Sequence, residues 1–434
     1  MSLTKVSYSM IQGAPVNVLD YGADPTGVAD STQAIQDAID TGNSVYLPTG
    51  TYKTSSTLTF NTTFQNFTGD GTGSKIRYTG TGIAILIDGT ASPAYRILST
   101  FGDFFVEGNS GASAGTGIKV SECANVLLQN IYIRSFNVGL FLKGSLISNF
   151  NNVYCLENLT VGILMETGVV IASPVNLVSF NYCQVVGGSS EAVRCTEGAS
   201  ITFNSCEFEA VGQVGNAFPI CNFTDMGTTG ISPAVIFNSC WFEANEGVAD
   251  IYYRGFDTNS GLSITGTNFY STSVTSSIDV DDGIISIFGC GINPVVSGNN
   301  LLIGSGVSGS ILGCAYLSLS NSSTNVTIQT SKQNSYRTPV NTISGQGFGV
   351  FRTGSSGSMF KINNLATGNR LDFVSDVAAD EFYFANNIYL DGAWNTSLLR
   401  MGAYRLWVDS SGNLRIKNGT PTSATDGTVV GTQT

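Results

Sequence analysis

The chain has 434 residues, a net charge of −12, and only 12% charged against 42% hydrophobic residues; that balance argues against a nucleic-acid backbone as partner, which would need a basic face. Its 25 Phe and 17 Tyr give ample core material, so it is not a disordered chain. It holds no histidine, which removes Ser-His-Asp and Cys-His chemistry and most transition-metal sites and leaves catalysis to carboxylates, Tyr, Lys or Arg.

Residues 1–15 are a polar lead without the apolar core of a signal peptide, and no later run is long and apolar enough to span a bilayer. The expectation is a protein made in a cytoplasm, with no membrane insertion. VNVLDYGADPTGVADSTQAIQDAID then predicts a strand, a Gly/Pro turn and one helix. Asp30 is the expected N-cap, Gln33 completes a capping box, and Ala34, Ile35, Ala38 and Ile39 form the apolar face. A helix placed just before stacked strands covers their open end. NSVYLPTGTYKTSSTLTF and GDGTGSKIRYTG add the opening strands, so residues 1–74 are read as lead, capping helix and first strands.

From about residue 75 to 335 the chain repeats itself. ITFNSCEFEA at 201–210 recurs as VIFNSCWFEA at 235–244. Weaker copies align Ile131, Val153, Cys183, Cys206, Cys240, Thr267, Cys290 and Cys314 in one column, at spacings from 22 residues (131 to 153) to 34 (206 to 240). A second apolar column runs from Leu128 through Phe203 and Phe237 to Ile311, and a third from Ile133 through Phe208 and Phe242 to Tyr316. Repeats of this period mean stacked coils, each a rung of a parallel β-solenoid. Inward positions three apart require a bend, placed at Asn151, Asn181, Asn204 and Asn238, where Asn tolerates the left-handed conformation and stacked amides can bond along the axis. Five of the nine cysteines fall in the first inward column and behave as small hydrophobes there; with no CxxC spacing they do not form a metal site. From 336 to 434 the rung pattern gives way to shorter alternating segments, FYFANNIYLDG and SLLRMGAYRLWVDSSGNLRIKNG, which predict an antiparallel region with DSSGN as a hairpin turn. The closing TPTSATDGTVVGTQT reads as an extended tail.

Chemistry falls to the outward positions. Glu207 and Glu209 flank one rung and Trp241 and Glu243 the next; Asn268 and Tyr270 follow, with Gln184 and Tyr154 on the rungs before. Adjacent rungs lie about 4.8 Å apart, so Glu209 stacks on Glu243, while Glu207 stands roughly 7 Å along the strand from Glu209. Glycoside hydrolysis needs two carboxyls about 5–5.5 Å apart for retention or 6.5–9.5 Å apart for inversion. Glu207, Glu209 and Glu243 are therefore the catalytic candidates. Trp241, Tyr270, Asn268, Gln184 and Tyr154 are the substrate-binding candidates, with no metal and no cofactor. The long gap before Cys240, VGQVGNAFPICNFTDMGTTG, is read as a groove wall. The alternative is a solvated acidic face that discourages lateral aggregation. Asp225, Asp250 and the Asp279, Asp281, Asp282 cluster are reserve acids on other faces.

VNVLDYGADPTGVADSTQAIQDAI together with VYLPTGTY resembles the opening of the pectate-lyase-like, right-handed β-helix superfamily, a form common in bacteriophage tailspikes and capsule depolymerases. LRMGAYRLWVDSSGNLRIKNGTPTSATDGTVVGTQT is similar to the C-terminal segment of tail fibre and tailspike proteins. The resemblance implies an all-β fold, a right-handed parallel β-helix with an N-terminal capping helix and a C-terminal antiparallel β-region. It also implies a homotrimer attached to a phage tail, directly or through an adaptor protein, that binds and cleaves a bacterial surface polysaccharide. Hydrolysis leads; a polysaccharide lyase, a non-catalytic adhesin and a structural tail protein are the alternatives.

Overall fold

The computed structural model describes residues 13–330, short loop segments apart, and 399–432. The chain divides into two compact units, Met1–Phe360 and Lys361–Thr434.

The first unit is a parallel β-helix of about 10 turns. A representative coil runs Glu191–Cys195, Ser200–Asn204, Glu207–Glu209, and the next repeats it as Cys221–Met226, Ala234–Asn238, Trp241–Glu243. Each strand pairs in parallel with its counterpart one coil on. Three strand positions per coil thus build three sheets around one core. The stretch between Cys206 and Cys240, expected as a groove wall, is corrected in part: Cys221–Met226 is the regular first strand of its coil, with Cys221 and Phe223 fully buried.

The inward columns form continuous apolar ladders. Phe150, Phe180, Phe203 and Phe237 stack with ring centroids 4.8, 4.9 and 4.9 Å apart. Phe208, Phe242 and Phe269 make a second stack at 4.7 and 4.9 Å. The bend that turns both columns inward sits one residue later than the sequence suggests. Asn152, Tyr182, Ser205 and Ser239 carry the positive φ (51°, 55°, 50° and 53°), and Gly266, Gly289 and Gly313 take over the position further on. The left-handed residue at this position in each of these coils breaks the strict alternation, so inward residues three apart both reach the core. The asparagines before it keep the strand and form the expected amide ladder. Asn181 Nδ2 donates to Asn151 Oδ1 (2.8 Å), Asn204 to Asn181 (2.8 Å) and Asn238 to Asn204 (3.0 Å). Beside it, the thiols of Cys183, Cys206 and Cys240 donate to the carbonyls of Phe150, Phe180 and Phe203 one coil back. All nine cysteines are buried and unpaired.

Helix α1 (Thr32–Asp40) buries Ile35, Ala38 and Ile39 against the first coils. The expected cap is corrected. Ser31 is the N-cap, Asp30 accepts from the Thr32 backbone N–H just outside the helix, and Gln33 donates to Asp37 instead of closing a capping box. The helix also closes the sheet edge. Gln36 donates to the Thr59 carbonyl (3.1 Å) and accepts from the Thr59 N–H (2.9 Å), so one side-chain amide supplies both bonds of a missing strand. Among the described residues no helix is long and apolar enough to cross a membrane.

The second unit holds a four-stranded antiparallel sheet, Leu399–Met401, Tyr404–Val408, Asn413–Asn418 and Thr428–Thr432. Asp409 anchors the hairpin turn by accepting from the backbone of Ser411 and Asn413. The expected tail is corrected, because Thr428–Thr432 pairs along Asn413–Asn418 and Asp426 pins the turn before it through Thr422 and Lys417. The expected strand FYFANNIYLDG lies outside the described residues.

Candidate functional site

The outer face of the sheet containing Glu207–Glu209 carries two columns, set by register. Tyr132, Tyr154, Gln184, Glu207, Trp241 and Asn268 follow one another in the first. Arg134, Leu156, Val186, Glu209, Glu243 and Tyr270 follow in the second. All eight residues singled out from sequence therefore share one face.

Glu209 pairs with Glu243 across adjacent coils, and Glu207 with Trp241. Glu207 and Glu243 are diagonal neighbours whose backbones stand roughly 8 Å apart, from 4.8 Å between strands and nearly 7 Å along one. Trp241 is 37% exposed and stacks on Tyr270, itself 40% exposed, at 4.5 Å and 25°. Its indole Nε1 donates to Glu243 Oε2 at 2.7 Å, which fixes the orientation of that carboxylate. Partial burial raises the Glu207 pKa, and the charges of Glu209 and Glu243 add to the effect. Three carboxylates, one held toward its protonated form, thus lie beside a flat aromatic shelf. Further along the first column Tyr132 and Tyr154 stack at 4.4 Å and 11°.

The reserve acids lie elsewhere. Asp250 is fully buried, with Asn245 Nδ2 donating to its Oδ1 (3.1 Å), and it cannot touch a substrate. Burial lifts its pKa from 3.8 to about 7, against the opposing hydrogen bonds of Ser271 and Asn245. The folded state therefore binds this proton more tightly than the unfolded chain. The stabilisation is complete below the ordinary carboxylate value near 4 and is lost as pH rises to about 7. Asp250→Asn is expected to flatten urea-melt stability between those limits, where wild type loses up to about 4 kcal/mol. Asp279 and Asp281 face outward on the first-strand sheet beside Tyr252, whose hydroxyl donates to Asp281 Oδ2 at 2.5 Å. Burial, and secondarily the charge of Asp281, pushes Asp279 up to about 6. Asp282 is spent on the Gly283 backbone. The side chain of Asp225 lies outside the described residues. Among the described residues no cluster of three or more Cys, Asp or Glu is arranged to hold a metal ion.

Sequence reasoning began its columns at Ile131 and so missed their first members. Lys75 and Phe105 precede Tyr132, and Arg77 and Glu107 precede Arg134. The signal was the alternation of FFVEG at 104–108, which parallels IYIRS at 131–135.

Coil geometry and register together define a parallel β-helix. Residues 15–216 match the family model "Rhamnogalacturonase A/epimerase, pectate lyase-like", and residues 364–432 match "Capsule depolymerase". Each match covers less than half of the chain, and phage tailspikes among the structural neighbours share its fold. The gp42 tailspike of Acinetobacter phage vb_AbaP_AS12 superposes with a TM-score of 0.57 at 14% identity, covering 80% of this chain and 67% of that one. ORF18 of Geobacillus virus E2 superposes at 0.55 and 19% identity, covering 69% and 62%. The enzymatically active domain of bacteriophage CBA120 tailspike protein 4 superposes at 0.50 and 14%, covering 74% and 44%. This chain thus spans under two thirds of the ORF18 chain. No curated protein matches it.

Proposed function

We propose that the protein is a tailspike-type depolymerase that binds a bacterial surface polysaccharide, capsule or O-antigen, and hydrolyses its glycosidic bonds. The observation that carries this reading is the register pairing of Glu209 with Glu243, with Glu207 diagonal to Glu243 and the Trp241–Tyr270 shelf alongside. The capsule-depolymerase match supports it. Glu207, protonated, gives its proton to the glycosidic oxygen as the C–O bond breaks. Glu243, ionised and oriented by Trp241, takes a proton from the water that attacks the anomeric carbon from the opposite side. The backbone diagonal of roughly 8 Å lets the two carboxyl groups reach the separation an inverting pair needs, and Glu209 keeps the pair polarised by its charge. Trp241, Tyr270 and Tyr154 offer flat faces to sugar rings; Gln184 and Asn268 offer hydrogen bonds. The reaction needs no cofactor. On this reading the protein acts as a homotrimer on the virion tail, joined to it directly or through an adaptor, and meets the host at its surface. Purified capsule or O-antigen incubated with the protein should release reducing ends, and Glu209→Gln/Glu243→Gln should stop the release while glycan binding persists. Binding without release by the wild type makes the protein an adhesin.

A second reading places the chemistry at Asp279, Asp281 and Tyr252, favoured by the lifted pKa of Asp279. Asp279→Asn abolishes release on that reading and leaves it intact on the first.

A further inference from the structure

Glu243 is followed by Ala244, which turns the chain with a φ of 54°, and then by the fully buried Asn245. The Asn245 amide reaches into three coils. Its Oδ1 accepts from the Val211 backbone N–H (3.0 Å) and its Nδ2 donates to the Phe208 carbonyl (3.0 Å), both one coil back. Nδ2 also meets Asp250 Oδ1 (3.1 Å), on the strand that follows it, and Ser271 Oγ (3.0 Å) in the next coil. These anchors bracket the candidate site. Phe208 stands between Glu207 and Glu209, Asn245 lies just beyond Glu243, and Ser271 follows Tyr270.

Part of this arrangement is ordinary for the fold. At the same corner of an earlier coil Asn158 follows Glu157, whose φ is 50°. Its Oδ1 accepts from the Phe136 N–H (3.2 Å) and its Nδ2 donates to the Ile133 carbonyl (3.4 Å), the same two bonds that Asn245 makes one coil back. Asp250 is not ordinary. Register places Gly162, Ala192 and Ile220 at its position in three earlier coils, so the corner closes there without a charge. A carboxyl in a dry interior is costly; this one is fully buried, and its Oδ2 has no hydrogen-bond partner among the described residues. It does one thing that glycine, alanine or isoleucine cannot. It accepts from Nδ2 and so holds the amide in the orientation that bridges Phe208 and Ser271.

We propose that Asp250 is a positioning residue: with Ser271 it locks the Asn245 amide, and the amide holds the three strands that carry Glu207, Glu209, Glu243 and Tyr270 in mutual register. Its effect on turnover rests on the hydrolase reading; its effect on the aromatic shelf does not. Trp241 reports on that shelf directly, because it bonds to Glu243 on its own strand and stacks on Tyr270 of the next. The shelf joins these strands on the outside of the coil, and the amide joins them on the inside.

Fluorine NMR of protein grown on 5-fluorotryptophan tests this. The chain has three Trp, and Trp241→Phe identifies the line of interest. Asp250→Ala, which puts at this position the residue found at Ala192, should shift or broaden the Trp241 line and leave the other two as they are. Asp250→Asn keeps an accepting oxygen and should return the line to its wild-type place. On polysaccharide, Asp250→Ala should lower kcat by about tenfold to a hundredfold, the scale of a slightly misplaced catalytic group. KM should stay within about twofold, and Asp250→Asn should recover most of kcat. Asn158→Ala removes the equivalent amide from a corner away from the glutamates; it should lower the urea midpoint and keep both kcat and the Trp241 line. Ser271→Ala carries the same expectation as Asp250→Ala should the latter fail to fold. An unmoved Trp241 line, an unchanged kcat in an active enzyme, or an equal loss of kcat in Asn158→Ala overturns the inference. Wild type that releases no reducing ends means that the hydrolase reading has failed, and the Trp241 line then decides the clamp by itself.

Discussion

Phe203→Ala should lower the unfolding free energy by about 3–5 kcal/mol, the range for a large aromatic removed from a packed core. Phe203 stands at the crossing of the two aromatic ladders. It stacks on Phe180 and Phe237 and meets Phe208 and Phe223 edge-on, at 5.8 and 6.2 Å. A β-helix is close to one-dimensional, so each coil is held chiefly by its two neighbours. Losing the ring therefore weakens both coil interfaces at once, and the walls on either side are fixed by strand pairing and cannot collapse into the hole. Urea melts followed by circular dichroism give the measurement. A cost below about 1 kcal/mol, the scale of a surface substitution, would show that the stacked ring is not part of a continuous core.

Glu207→Gln should reduce the rate of polysaccharide cleavage by about 10²–10⁴-fold, the usual contribution of a general acid. Burial and the neighbouring glutamates raise the Glu207 pKa, so the carboxyl keeps its proton to a higher pH than an ordinary one. Activity that needs this proton is present on the acid side and falls as pH rises through the raised value. Glutamine has no proton to give, so the variant should lose that alkaline limb as well as the rate. Glu209→Gln removes a neighbouring charge and should move the limb toward lower pH, because the ionised form of Glu207 then costs less. A Glu207→Gln enzyme with full rate and an unchanged pH profile contradicts the assignment of the acid.

The coil architecture was legible because its cause is periodic. The three inward columns repeat on every rung, and a sheet-forming chain with such repeats must stack them. The same periodicity carried the site, since outward residues two apart on one rung and equivalent residues on the next are neighbours by construction. This is why Tyr154, Gln184, Glu207, Trp241 and Asn268 fall into one column and Glu209, Glu243 and Tyr270 into the other. Where periodicity fails, so did the reading. The bend was placed on the asparagines because Asn favours the left-handed region, yet Tyr182 and Ser205 adopt it. The ladder of amides uses the asparagines for bonding along the axis, and the next residue is left to turn. The helix cap moved from Asp30 to Ser31 because Asp30 is taken by Thr32 and Ser55. Arg77 and Glu107 were missed because the columns were begun at Leu128 and Ile131, although Phe101 and Phe104 continue them one coil back and register places both residues on the same face.

Cleavage of the polysaccharide in water enriched with heavy oxygen tests the central claim most directly. Hydrolysis at Glu207 and Glu243 breaks the C–O bond with water as the nucleophile. Mass spectrometry should therefore find one heavy oxygen at each new reducing end, and no product from Glu209→Gln/Glu243→Gln. Products that carry no heavy oxygen and end in an unsaturated, ultraviolet-absorbing uronate would mean elimination, and would contradict the account.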